Sequence, residues 1–183
     1  MRTFIAVPLP PDCHSVLEQM QRRMREFGAD VRWTSIPSIH LTLKFLGETD
    51  RGLLPQLNDA LRSIPAASRF GLRIRGVGGF PNLHNPRVIW CGIEESVEQL
   101  KLLQANIEQA CTGLGFPREE RAFQPHLTLG RVQGKRNLQP LLDYIRIGCE
   151  LECAFIVDHF SIFESVLTPG GPIYTTLAKL DLG

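Results

Sequence analysis

The chain carries almost no net charge. Its 20 Lys and Arg residues are balanced by 19 Asp and Glu residues, which leaves a formal charge of +1. A protein that coats nucleic acid without sequence preference neutralises many phosphates at once and needs a strongly basic surface. The charge balance therefore argues against that mode of binding, while a short or terminal phosphate target stays open.

The spacing of the cysteines favours neither a disulfide nor a metal site. The five cysteines are odd in number and form no Cys-x-x-Cys pair. The sequence therefore predicts neither a disulfide framework nor a zinc knuckle. Free thiols are expected instead, and these indicate a reducing compartment.

Long hydrophobic runs are also missing. The N-terminal run Phe4–Val7 ends at Pro8, and four residues are too few for the core of a signal peptide or for a membrane span. We therefore expect a cytoplasmic protein that does not associate with a membrane.

The pattern of hydrophobic residues predicts an α+β fold. With 183 residues, 43% of them hydrophobic and 21% charged, the chain has the size and composition of a single soluble domain. Helical spacing predicts one helix between Pro11 and Gly28, one over residues 53–64, one that opens with a capping box at Ser96 and Gln99 and ends at Gly113, and one over residues 138–145. Strand-like runs cover residues 3–9, 39–46, 70–77, 87–93, 126–132, 151–157, 159–166 and 173–180.

The tetrapeptide His-Leu-Thr-Leu occurs twice, at His40–Leu43 and at His126–Leu129. Because side chains alternate along a strand, each copy places an imidazole and a hydroxyl on one face, roughly 6 to 7 Å apart, and two leucines on the other. The same alternation places Lys44 on the face of His40 and Phe45 in the core. A single copy would be an ordinary strand, but two copies that use two of only five histidines indicate a function.

Two such strands that face each other supply what phosphodiester cleavage needs. One imidazole can remove a proton from the attacking oxygen while the other protonates the departing oxygen. An ordinary histidine pKa of about 6.5 suits both roles near neutral pH. The two threonine hydroxyls can hydrogen-bond the phosphate oxygens as charge develops on them.

The residues around both motifs resemble those of a known family. The segments Arg32-Trp33, His40–Glu48, Phe123–Arg131 and Gly171–Tyr174, together with the start Met1–Ala6, are similar in order and spacing to the bacterial and archaeal RNA 2′,3′-cyclic phosphodiesterases. That family is also called the 2′-5′ RNA ligases and belongs to the two-histidine phosphoesterase superfamily. The resemblance covers nearly the whole chain.

The resemblance implies a bilobal α+β fold with pseudo-two-fold symmetry, formed by residues 1–183 as one domain. Two antiparallel sheets would line a central cleft, with helices on the outside and one motif in each sheet. The implied substrate is an RNA end that bears a 2′,3′-cyclic phosphate. We expect no metal, no other cofactor and a monomeric protein.

The resemblance also implies a role for each motif residue. His40 would donate a proton to the leaving 3′ oxygen, and His126 would accept one from the attacking water. Thr42 and Thr128 would bind the phosphate.

Arg131 matches a family position that contacts phosphate. Strict alternation places it on the face opposite His126, so it reaches the site only if the strand bends near Gly130.

Four aromatic residues are candidates for stacking on a nucleobase at the mouth of the cleft, namely Trp33, Phe45, Phe123 and Tyr174. Core packing is the expected position of Phe45, and both interpretations stay open for the other three.

Other functions stay open at this point. One alternative is a phosphodiesterase that acts on 2′-5′ oligonucleotides or small cyclic nucleotides. Another is a module that binds a nucleotide or an RNA end without turnover, although such a module has no need of both imidazoles. A zinc hydrolase is disfavoured because His-Glu-x-x-His and Cys-x-x-Cys spacings are absent.

Overall fold

The computed structural model describes residues 1–183 and contains four α-helices and nine β-strands. In chain order these elements are β1 (Arg2–Val7), α1 (Pro11–Arg25), β2 (Val31–Trp33), β3 (Leu41–Glu48), α2 (Leu54–Arg62), β4 (Phe70–Phe80), β5 (Val88–Glu94), α3 (Val97–Gly113), β6 (His126–Val132), α4 (Leu138–Ile147), β7 (Glu152–Val157), β8 (His159–Thr168) and β9 (Gly171–Asp181).

The strands form two antiparallel sheets, which confirms the predicted α+β class. The four-stranded sheet has the order β3-β1-β8-β9, and the five-stranded sheet has the order β2-β6-β5-β4-β7. Helix α3 packs against β3, α2 against β9, and α1 against β7. The two motifs thus lie in different sheets, one on β3 and one on β6.

The leucines of both motifs anchor their strands in the hydrophobic core. Leu41, Leu127 and Leu129 are fully buried and Leu43 is almost so. All four belong to one cluster of 36 buried residues that draws on both sheets. The outward-facing histidines and threonines are therefore held by strands whose other side is fixed by packing.

All four predicted helices are present, with ends within three residues of the prediction, but the capping box predicted at Ser96 is wrong. Ser96 has a φ of 39° and its side chain makes no capping hydrogen bond. An N-cap needs an extended backbone to bring its hydroxyl to the amides of the first turn. Glu95 and Ser96 both have positive φ, so they form a tight turn between β5 and α3 rather than a capping box.

Strand β2 is absent from the predicted elements because three residues are too few for a periodic pattern. It forms the edge of the five-stranded sheet and pairs only with β6. Tertiary pairing, rather than local sequence, makes Val31–Trp33 a strand.

A β-bulge in β3 makes the prediction for Lys44 and Phe45 wrong. Thr42 lies opposite Ala6 and Lys44 lies opposite Ile5, so Leu43 is an extra residue in the ladder. One extra residue reverses the alternation beyond it. Lys44 therefore points to the helix side and is buried, whereas Phe45 is 68% exposed on the face of Thr42.

Buried Lys44 joins β3 to α3 and to the segment that leads into β6. Its Nζ donates to Glu108 Oε1 over 2.8 Å and to the carbonyl oxygen of Pro117 over 2.9 Å. The backbone N–H of Glu119 donates to the same Glu108 oxygen over 2.9 Å. Lys44 is buried and the Glu108 side chain is 14% exposed. Their hydrogen bonds fix this geometry, because either charge alone is costly where so little water reaches it.

Replacing Lys44 by Met should lower the free energy of unfolding by about 3–5 kcal/mol, because it leaves the Glu108 carboxylate buried without its partner. Combining it with Glu108→Gln should recover much of the loss, since no buried charge then remains. Urea unfolding measures both effects. Lys101→Met is the control, because Lys101 pairs with Glu98 at the surface and such pairs contribute about 1 kcal/mol or less. A Lys44→Met protein as stable as this control would contradict the role of the buried pair.

Candidate active site

His40 lies just before β3 and is packed among aromatic rings. The ring of Phe4 stacks on it with centroids 4.5 Å apart, and Tyr174 approaches edge-on at 5.1 Å. Burial lowers the pKa of His40 from 6.5 to about 4, with a backbone hydrogen bond at Ser38 acting in the opposite direction. The imidazole of the unliganded protein is therefore neutral at pH 7.

His126 is the first residue of β6 and is oriented by the backbone. Its Nδ1 lies 2.7 Å from the carbonyl oxygen of Gln124, and Phe80 packs edge-on against the ring at 4.9 Å. A carbonyl oxygen can only accept, so Nδ1 carries the hydrogen and, in the neutral ring, Nε2 carries the lone pair. This arrangement suits a group that accepts a proton through Nε2.

The two threonines occupy matching positions. Thr42 pairs with Ala6 in the four-stranded sheet, and Thr128 pairs with Trp90 in the five-stranded sheet. Both are partly buried. Each hydroxyl follows its histidine by two residues, as the sequence predicts.

A second bulge brings Arg131 onto the face of the motif residues. Thr128 lies opposite Trp90 and Gly130 opposite Ile89, so Leu129 is the extra residue. The alternation reverses beyond Leu129, and exposed Arg131 shares the face of Thr128. The bend expected near Gly130 is thus present. In both strands the extra residue is the last leucine of the motif, so Phe45 and Arg131 occupy equivalent places.

An aromatic floor lies beside His40. Phe4 contacts Phe163 at 5.2 Å, Tyr174 at 5.0 Å and Phe45 at 6.2 Å between ring centroids. No sequence signal marks Phe4 and Phe163, because single aromatics in strands are common and only the register of β3, β1 and β8 brings them together.

Trp33 lies on the opposite face from this site. It pairs with Gly130, and the guanidinium of Arg25 in α1 lies 5.6 Å from its ring centroid. Trp90 is the tryptophan on the motif face, between Phe80 at 5.4 Å and the cross-strand neighbour Thr128. Trp33 is therefore not available to stack on a base beside the histidines.

Gln21 connects the two halves of the site. This buried side chain of α1 donates from Nε2 to the carbonyl oxygen of Leu129 over 2.9 Å and to that of Thr34 over 2.7 Å. The N–H of Thr34 also donates to Leu129, over 2.9 Å. The bulge in β6 is thereby tied to the segment that leads to His40.

Metal-binding clusters and membrane-spanning helices are both absent from the structure. No group of three or more His, Cys, Asp and Glu side chains is placed to hold a metal ion. None of the helices combines the length and hydrophobicity that crossing a bilayer requires.

Comparison with known proteins shows the family to which this chain belongs. The model of the 2′-5′ RNA ligase superfamily matches residues 8–167. A protein of Methanothermobacter thermautotrophicus named RNA 2′,3′-cyclic phosphodiesterase is 35% identical over 184 aligned positions, which cover 100% of this chain and 99% of the relative. A protein of the same name from Aeropyrum pernix is 32% identical, with 90% of this chain and 93% of the relative covered.

Solved structures agree on the fold. The protein TT0787 of Thermus thermophilus superposes with a TM-score of 0.77 at 30% sequence identity, covering 100% of this chain and 98% of that one. The superposition extends over both sheets, so the likeness includes the arrangement of the two motif strands.

The low pKa of His40 predicts how stability depends on pH. The ring takes up a proton near pH 6.5 in the unfolded chain but only near pH 4 in the folded one. Between these values the unfolded chain binds more protons, so the free energy of unfolding is highest above pH 6.5 and falls as the pH drops toward 4. By pH 4 the wild type should lose on the order of 3 kcal/mol more unfolding free energy than His40→Gln. NMR titration gives the pKa directly, and a His40 value above 6 in the unliganded protein would contradict the assignment.

Proposed function

Because the chain belongs to the 2′-5′ RNA ligase superfamily, we propose that it is an RNA 2′,3′-cyclic phosphodiesterase that opens terminal cyclic phosphates to 2′-phosphates. The observation that carries the proposal is the pair of imidazoles, one from each sheet and each followed by a threonine on the same face. The family and the names of the relatives point to the same chemistry.

His126 is the proposed proton acceptor. The carbonyl of Gln124 holds Nδ1–H, which leaves the Nε2 lone pair to take a proton from a water molecule as that water attacks phosphorus. A ring fixed by a backbone group and by Phe80 needs little reorganisation at that step.

His40 is the proposed proton donor to the leaving 3′ oxygen. Because the ring is neutral in the unliganded protein, it takes up its proton when the substrate binds. A cyclic phosphodiester carries a negative charge, and in a partly buried site an imidazolium next to that charge is stabilised far more than in water. Substrate binding thereby raises the pKa of His40 and prepares the acid.

Thr42, Thr128 and Arg131 are the proposed phosphate ligands. The hydroxyls donate to non-bridging oxygens, and the planar guanidinium fork suits two of them at once. With protonated and neutral imidazoles on either side of phosphorus, the reaction needs no metal or other cofactor.

The aromatic floor is the proposed platform for the terminal base. Phe45 is largely exposed on the face of Thr42, and Tyr174 lies against His40. Stacking on such rings favours every base similarly, because each base has a π face.

The surroundings of the site support three further proposals. Both imidazoles come from one chain, which supports the proposal that the protein acts as a monomer. One hydrophobic cluster draws on both sheets, so residues 1–183 act as one bilobal domain.

All five thiols are free, and burial raises the pKa of Cys91 to about 12 and of Cys111 to about 11. Buried, unreactive thiols such as Cys91 and Cys111, in their reduced form, suit the cytoplasm.

Replacing either His40 or His126 by Ala should lower turnover of an oligonucleotide 2′,3′-cyclic phosphate by about 10² or more while the fold survives, since acid–base groups contribute about 10²–10⁴. Circular dichroism checks the fold, and His84→Ala, at an exposed turn, is the matched control. All assays contain EDTA. A folded His126→Ala protein with wild-type turnover would exclude the site, and activity that returns only with added Mg²⁺ or Zn²⁺ would exclude a metal-independent reaction.

The assigned roles predict which bond breaks. With His40 protonating the 3′ oxygen, the product should be a 2′-phosphate with a free 3′-hydroxyl. In the same ring-opening step an RNA 5′-hydroxyl can replace water, give its proton to His126 and join two ends through a 2′-5′ linkage as the 3′ oxygen leaves, although water at its bulk concentration makes hydrolysis dominant. Phosphorus NMR of the product decides between the isomers. A predominant 3′-phosphate would reverse the donor and acceptor roles and leave the two-histidine site standing.

A further inference from the structure

Arg32 and Arg131 lie directly opposite each other on the antiparallel strands β2 and β6. Residues in such a pair project from the same face of the sheet, with Cβ atoms roughly 4.5–5.5 Å apart. Both side chains are exposed. Two like charges in this position repel, so the pair destabilises the free protein unless something compensates it.

No carboxylate of the chain compensates these two arginines. Elsewhere in the same sheet, Arg73 pairs with Glu95 and Glu152, and Arg75 pairs with Glu94 and Glu152. None of the ion pairs in the structure includes Arg32 or Arg131. An uncompensated pair of guanidinium groups indicates an external anion.

The register of β6 places the arginine pair beyond the reacting phosphate. Arg131 lies opposite Val88 and Thr128 opposite Trp90, so two residues of β5 separate them, roughly 7 Å along the sheet. The pair shares the face of Thr128 and lies on its far side from His126. The long side chain of Arg131 reaches back to the reacting phosphate, whereas Arg32 lies one strand farther out, on β2. The anion of Arg32 is therefore a neighbour of the reacting phosphate.

We propose that Arg32, with Arg131 beside it, binds the phosphodiester that precedes the terminal nucleotide of the RNA. This subsite rests on the proposed function, because it takes its position from a cyclic phosphate held at His126 and Thr128. The subsite makes an oligonucleotide that ends in a 2′,3′-cyclic phosphate a better substrate than a nucleoside 2′,3′-cyclic phosphate, because the nucleoside has no preceding phosphodiester.

The subsite predicts that Arg32→Gln discriminates between two substrates. For a trinucleotide 2′,3′-cyclic phosphate, kcat/KM should fall about tenfold, the size expected for a lost charge-assisted hydrogen bond. For a nucleoside 2′,3′-cyclic phosphate, kcat/KM should be unchanged. Arg32→Lys should restore part of the loss, since it keeps the charge but not the fork. Arg62→Gln, on the surface of α2, is the control and should affect neither substrate.

A binding measurement separates failure of the subsite from failure of the proposed function. Fluorescence anisotropy follows a labelled trinucleotide that ends in a 2′-phosphate, with a nucleoside 2′-phosphate as competitor. Arg32→Gln should weaken binding of the trinucleotide and leave binding of the nucleoside 2′-phosphate unchanged. For the trinucleotide, the slope of log K against log salt concentration should become shallower by about 0.7, the value expected for one phosphate contact on a single strand. Equal losses for both ligands, or none for either, would overturn the subsite. Wild-type protein that binds as predicted but hydrolyses neither substrate would overturn the function alone.

Discussion

The site depends on where each motif strand gains its extra residue. In β3 the bulge falls at Leu43 and in β6 at Leu129, the last leucine of the motif in both cases. Up to that residue, alternation presents the histidine and threonine. Beyond it the faces exchange, which brings Phe45 and Arg131 to the face of the histidines and threonines. Each bulge thus replaces the third residue that strict alternation would place on this face, so that Phe45 stands instead of Lys44 and Arg131 instead of Gly130.

Burial gives the two histidines different starting states. His40 lies among Phe4, Tyr174 and Phe163, which makes its charged form costly until an anion arrives. His126 has a backbone carbonyl on Nδ1, which fixes its ring without adding a charge. The proposed acid and the proposed base are therefore distinguished by environment, although both begin the same tetrapeptide.

Two buried polar side chains hold the halves of this site in register. Lys44 ties β3 to the segment that leads into β6, and Gln21 ties the bulge of β6 to the segment that leads into β3. Lys44 does so through the Glu108 carboxylate and the carbonyl oxygen of Pro117, and Gln21 through the carbonyl oxygens of Leu129 and Thr34. The position of one imidazole relative to the other thus depends on contacts that lie outside both motifs.

The sequence alone determined the α+β class, most of the helices and strands, and the two motifs, because periodicity and a repeated tetrapeptide are local properties. Tertiary structure decided the rest. Strand β2 exists only through its pairing with β6, and the faces of Lys44, Phe45 and Arg131 follow from bulges that a local pattern does not encode. The arginine pair and the low pKa of His40 likewise arise from residues far apart in the chain, which only folding brings together.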